Sequence, residues 1–278
     1  MKIILVLLSL ICASLATPSR CAEPSIPVFW DARERLPKPD LTALPRLRFL
    51  TTIDFPPFNF LDGHGRLTGF HVDLARAICA ELGIQAKCQI QGLPWAELDS
   101  ALASKQGEAI IAGTAVTPQS RARYAFSRPY LRFPARFVIL KAKPLGLPMF
   151  QRIGGERIGV IAGSAHERMM RDLFPDAKVV TYGKQERMYE DLKEGKLAGI
   201  FGDGMRLGFW LAGTDSAGCC AFVDGPYLSA EYLGNGLAIA ASPDNPELAD
   251  AFDYALQQIS TKGTFAELYL RYFPVGFF

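Results

Sequence analysis

Histidine is scarce in this chain, three in 278 residues, and only six cysteines occur. With no Cys-x2-Cys pair and no histidine cluster, the sequence speaks against a zinc site. Neither sign of charge dominates: 30 Lys and Arg stand against 28 Asp and Glu, a formal net charge of +2. No basic field therefore argues for nucleic acid. Internal repeats of solenoid period are absent. Beyond the N-terminus, no apolar run approaches the roughly 20 residues a membrane span needs.

What is present begins with an export pattern. Lys2 is followed by an apolar run over 3–15, and Ser14, Leu15 and Ala16 offer a cleavage site after residue 16. Cleavage as late as Ala22 would place bulky Arg20 where a small residue is wanted. The expected location is the periplasm, with the remaining chain soluble outside the inner membrane. Removing 1–16 takes Cys12 and leaves Cys21, Cys79, Cys88, Cys219 and Cys220. In an oxidising compartment Cys79 and Cys88 read as a local disulfide or as two buried thiols. Cys219-Cys220 reads as packing or as a vicinal bond.

Residues 23–46 carry five prolines with mixed charge and read as an extended arm that Phe29 and Trp30 pin to the body. At 278 residues, 49% of them hydrophobic, the chain is long enough to split into two lobes. Strands are expected at 47–52, 86–90 and 109–112, with helices at 71–82 and 95–103 between them. This βαβαβ series implies parallel strands and right-handed crossovers. A second series has strands at 136–141, 157–161, 178–181 and 197–201, and 184–194 reads as a helix. Helices at 246–259 and 264–272 close the chain. The expected fold class is α/β and two-lobed, each lobe a mostly parallel sheet flanked by helices. Lobe 1 takes 47–139 and 237–278, and lobe 2 takes 140–236. Crossings near 138–141 and 235–240 form a two-stranded hinge, and closure over a cleft is the motion such a layout supports.

Ligands in such sheets gather beyond the C-terminal strand ends. That rule gathers Asp54, Phe58, Trp95 and the turn from Gly113 to Ser120 around one mouth. Thr117-Pro118 is a helix start, and a strand feeding it through Gly113 leaves N–H groups able to hold an anion. Ser164 and Glu167 have the spacing of a capping box, so Ser164 reads as a cap or as part of a cleft-facing helix N-terminus. Asp203, between two glycines at a strand end, reads as a site residue.

Taken in order, Asp54-Phe-Pro-Pro-Phe-Asn-Phe60, Gly69-Phe-His-Val-Asp-Leu-Ala75, Pro94-Trp95, Ile110-Ile-Ala-Gly113, Phe126-Ser-Arg-Pro-Tyr130, Gly202-Asp203-Gly204 and Gly263-Thr-Phe-Ala-Glu-Leu-Tyr269 form a connected pattern. It resembles the family 3 bacterial extracellular solute-binding proteins that serve polar amino acid ABC importers. The resemblance implies the periplasmic-binding-protein type II fold, a small-molecule ligand, importer permease partners, a monomer and no cofactor. It implies an acidic position at Asp54, aromatic walls at Phe58 and Trp95, and backbone N–H groups at Gly163 and Ser164. At Asp203 it implies the carboxylate that pairs with a ligand's α-ammonium.

One position departs from that pattern. Binders of this type usually read Thr-x-Glu-Arg after the third strand, and the arginine forks onto the ligand carboxylate. Here that position is Ser120, and Ala115 stands where a small hydroxyl residue is usual, with Thr114 before it. Arg121 is adjacent, but one helical step turns a side chain by about 100°. Serine cannot replace a bidentate, always-charged clamp. The reading that follows is a receptor for an amine-bearing or amino-acid-like solute, an amine meeting Asp203 and Asp54. Two alternatives are an interaction protein, similar to accessory proteins of methanol dehydrogenases, and an enzyme resembling cyclohexadienyl dehydratases. The enzyme reading lacks a base–nucleophile pairing.

Overall fold

The structure, a computed structural model, describes residues 26–31 and 33–278. The export segment, Cys12, Cys21 and the start of the arm lie outside the described residues. Two five-stranded sheets carry the fold. In the first, Leu47–Thr51 pairs in parallel with Cys88–Gly92 and with Ala109–Ile110. The βαβαβ expectation holds, with Phe70–Glu81 and Leu98–Ala103 as the crossover helices. Ala240–Ala241 returns from the far end of the chain and adds antiparallel, followed by Ala125–Phe126. Helices Glu247–Thr261 and Thr264–Tyr272 pack against Phe70–Glu81 and close a core containing Phe49, Phe70, Phe252 and Tyr269.

In the second sheet Gly199–Asp203 is the central strand, and Arg157–Ile161 lies between it and Lys178–Tyr182, parallel to both. Ala135–Leu140 belongs here, antiparallel to Gly199–Asp203, and all six of its residues are buried. Pairing in the second sheet therefore begins at Ala135, several residues before the crossing expected at 138–141. The two crossing segments meet at Leu131 and Leu237, where the Leu237 N–H donates to the Leu131 carbonyl at 2.7 Å. Strand Cys220–Tyr227, absent from the sequence reading, pairs with Ala135–Leu140. Its Asp224-Gly225-Pro226 stretch carries turn residues, and they lie in a register shift between Val223 and Tyr227.

Among the described residues two disulfides form, Cys79–Cys88 and the vicinal Cys219–Cys220. The first ties the end of a helix to the start of the strand that follows, which decides between the two readings of that pair. The arm lies on the first lobe: Phe29 meets Phe278 edge-on at 5.8 Å, and Arg128 sits 5.3 Å over Trp30. Arg128 also pairs with Glu34 at 2.5 Å.

Candidate functional site

Residues 54–60 fold back as a hairpin, Asp54 opposite Phe60 and Phe55 opposite Asn59. The backbone carbonyls of Pro57 and Phe58 accept from the first amides of the Phe70–Glu81 helix at 2.9 and 2.8 Å. Gly69 permits this approach: its φ is +125°, and a β-carbon there would lie 2.3 Å from the Phe58 carbonyl oxygen. The hairpin turns Phe58 inward. It is fully buried among Phe70, His71, Phe133 and Phe273, so the aromatic wall assigned to it is corrected to a core role. Phe55 takes the exposed place, stacked on Phe58 at 4.9 Å and 38% exposed.

Below the hairpin runs a buried polar chain. Asn59 Nδ2 donates to Thr52 Oγ1, its Oδ1 faces His71 Nδ1 at 2.7 Å, and His71 Nε2 faces the Tyr130 hydroxyl at 2.8 Å. Burial pushes the His71 pKa down to about 3, so the ring is neutral and structural.

Asp54 is exposed at the end of the first strand. Trp95, opening a short 3-10 turn after the second, is 57% exposed. Gly113 follows the third strand with φ +84°, and the Phe55 ring would lie 3.3 Å from a β-carbon placed there. Thr114 is half-buried, and exposed Ala115 bridges to Leu237. Ser120 is corrected. It is buried; its hydroxyl donates to the Ala115 carbonyl at 2.8 Å and accepts from the Thr117 N–H at 2.9 Å. Thr117 Oγ1 accepts from the Ser120 N–H in return, which completes a capping box for Pro118–Arg121. The serine serves its own turn and offers no free group to a ligand. Arg121 is exposed in the last turn of that helix, and its side chain has no ion pair among the described residues.

On the second lobe, Ser164 caps helix Ala165–Leu173 through the Glu167 N–H at 3.1 Å and donates to the Ile161 carbonyl. The Gly163 N–H is taken by the Glu167 carboxylate at 2.8 Å, so the amide assigned to a ligand is already satisfied. That bond and the nearby Arg171 guanidinium hold Glu167 below the usual carboxylate range. Asp203 caps helix Gly204–Ala212, one carboxylate oxygen accepting from the Arg206 N–H at 2.8 Å. Ser164, His166, Gln185, Asp203 and Arg206 line a cavity of about 270 Å³ at these strand ends. His166 Nε2 is buried there without a hydrogen-bond partner among the described residues. Burial, the larger effect, keeps the ring neutral by lowering its pKa; Asp203 opposes that shift and Arg206 adds to it. Phe55, His166 and Arg206 were missed in the sequence as site residues. The hairpin fold decides Phe55, and only the tertiary arrangement brings the other two together.

Acidic and aromatic side chains thus stand at the strand ends of a two-lobed α/β fold. The family model for bacterial extracellular solute-binding proteins, family 3, matches residues 47–275, and this chain belongs to that family. Putative ABC transporter arginine-binding protein 2 of Escherichia coli K12 is 31% identical over 84% of this chain and 92% of its own length. The L-arginine-binding protein of Pseudomonas aeruginosa is 30% identical over 79% of this chain and 84% of its own. Among solved structures, the unliganded, open L-cystine solute receptor of Neisseria gonorrhoeae aligns with TM-score 0.70 and 18% identity, covering 84% of this chain and 94% of that one. An ancestral cyclohexadienyl dehydratase aligns with TM-score 0.70 and 21% identity, covering 84% and 95%. At those identities the likeness is one of fold.

Proposed function

We propose that this protein is the periplasmic receptor of an ABC importer for a small cationic, amino-acid-like solute. Its lobes, joined at Leu131 and Leu237, close over the ligand, and the closed form is presented to the permease. The observation that carries this reading is the placement of Asp203 at the second sheet's strand ends, in a cavity of about 270 Å³. Asp54, Phe55 and Trp95 stand exposed at the strand ends of the first sheet. A carboxylate pairs with an ammonium, and exposed aromatic faces suit an ammonium or guanidinium. The relatives named as arginine-binding proteins support the same ligand class. Binding is proposed rather than catalysis because the relatives are named as binding proteins, and the buried His71 is held between Asn59 and Tyr130 in the core. The arm packs Phe29 and Trp30 against the protein's own surface.

A thermal-shift screen tests the reading. A true ligand at about 100 times its dissociation constant adds about 2.7 kcal/mol of stability. L-arginine, L-lysine or a related cation is expected to raise the melting temperature, and L-glutamate is not. A screen in which no amine-bearing solute shifts the melt would overturn it.

A further inference from the structure

The unresolved chemical question is what meets a ligand carboxylate when the first lobe offers Ser120 in place of an arginine, and that serine is consumed by its own turn. Arg121 does not fill the gap, because it lies about 100° around the helix from a residue that faces inward. A second arginine stands in the opposite lobe. Arg206 lines the cavity with Asp203 and His166, and its guanidinium has no ion pair among the described residues. Its place in the first turn of Gly204–Ala212 is one where the helix dipole disfavours a cation. Helices Ala165–Leu173 and Gln185–Lys193 also begin beside the cavity, through Ser164 and Gln185. The buried His166 Nε2, without a hydrogen-bond partner among the described residues, adds a second polar group to the lining beside Arg206.

We infer that Arg206 is a specificity-determining residue that receives the ligand's α-carboxylate, so that the second lobe holds both charges of the solute's amino-acid head. Asp203 takes the ammonium with the carboxylate oxygen its cap does not use, and Arg206 takes the carboxylate beside it. His166, as a neutral ring, contributes a hydrogen bond without adding charge. The first lobe then supplies Asp54 and the aromatic faces of Phe55 and Trp95 for the solute's far end. This assignment rests on the amine-binding reading above and adds to it the recognition of a carboxylate.

The test compares L-arginine with agmatine, the same side chain without the carboxylate, by calorimetry on the wild type, R206M and R121M. Arg206 is exposed, so R206M is expected to fold, which circular dichroism checks. The wild type is expected to prefer L-arginine by about tenfold or more, the worth of one charge-assisted contact. R206M loses that preference while still binding agmatine, and R121M keeps it. A preference unchanged in R206M, a preference lost in R121M instead, or a wild type that binds agmatine as tightly as L-arginine overturns the assignment and leaves amine binding standing. A wild type that binds neither overturns both.

Discussion

The ring of Phe55 lies over Gly113, 3.3 Å from where a β-carbon on that glycine would sit. This one relationship joins the hairpin after the first strand to the turn after the third. It makes Phe55, rather than Phe58, the aromatic face of the first lobe. The two phenylalanines are therefore expected to separate function from stability. Phe55→Ala should weaken ligand binding by about tenfold, near the upper range for one aromatic contact, with little change in melting. Phe58→Ala should cost about 3–5 kcal/mol of stability, the ordinary penalty for emptying a buried phenylalanine site. Urea unfolding and calorimetry on both variants check the split.

Gly113→Val should act through the same contact. A branched side chain at φ +84° is strained, and its β-carbon would press on Phe55. Loss of binding together with reduced stability is the expected pair of results.

Restoring an arginine at position 120 is not expected to restore a clamp. Ser120 is 5% exposed and its hydroxyl closes the capping box with Thr117. Ser120→Ala should cost about 0.5–2 kcal/mol, as a lost cap does. Ser120→Arg should cost more, because it also forces a charge into a buried place. Tighter L-arginine binding in Ser120→Arg would contradict this account of the turn.

The buried His71 gives the stability a signed pH dependence. Its folded pKa is pushed down to about 3 by burial, against an ordinary value of 6.5. The unfolded chain takes up this proton first, so stability falls as the pH drops below about 6.5, by up to about 1.4 kcal/mol per unit. Asp253 acts in the opposite sense. Burial raises its pKa from 3.8 to about 6, so its contribution is lost as the pH rises through that interval. The two nearly offset one another between about pH 4 and 6. Asp253→Asn keeps an acceptor for the Arg128 N–H and removes the titration. Urea titrations across pH should show stability falling more steeply with acid below pH 6 in that variant than in the wild type.

Much of this was readable in the residues. The alternation of apolar runs with amphipathic stretches located the parallel strands, and 157–161 and 264–272 fall where the pattern put them. The Thr117-Pro118 start and the Ser164 cap were also legible, since capping depends on local chemistry. Other features depend on distant partners. The reach of Ala135–Leu140 into the second sheet is set by its pairing with Gly199–Asp203, which no local pattern reveals. Phe55 and Phe58 have the same chemistry, and only the hairpin decides which one faces outward. His166 and Arg206 meet because two helices begin side by side, forty residues apart in sequence.

The central claim is that an acidic group in the second lobe binds a cationic solute. Asp203→Asn isolates it, because asparagine caps a helix as well as aspartate does while losing the charge. Calorimetric titration of the wild type and this variant with L-arginine is the direct measurement. Micromolar or tighter binding by the wild type, weakened about tenfold or more in Asp203→Asn, is the predicted result. Equal affinities in the two proteins, or no heat of binding in the wild type, would contradict it.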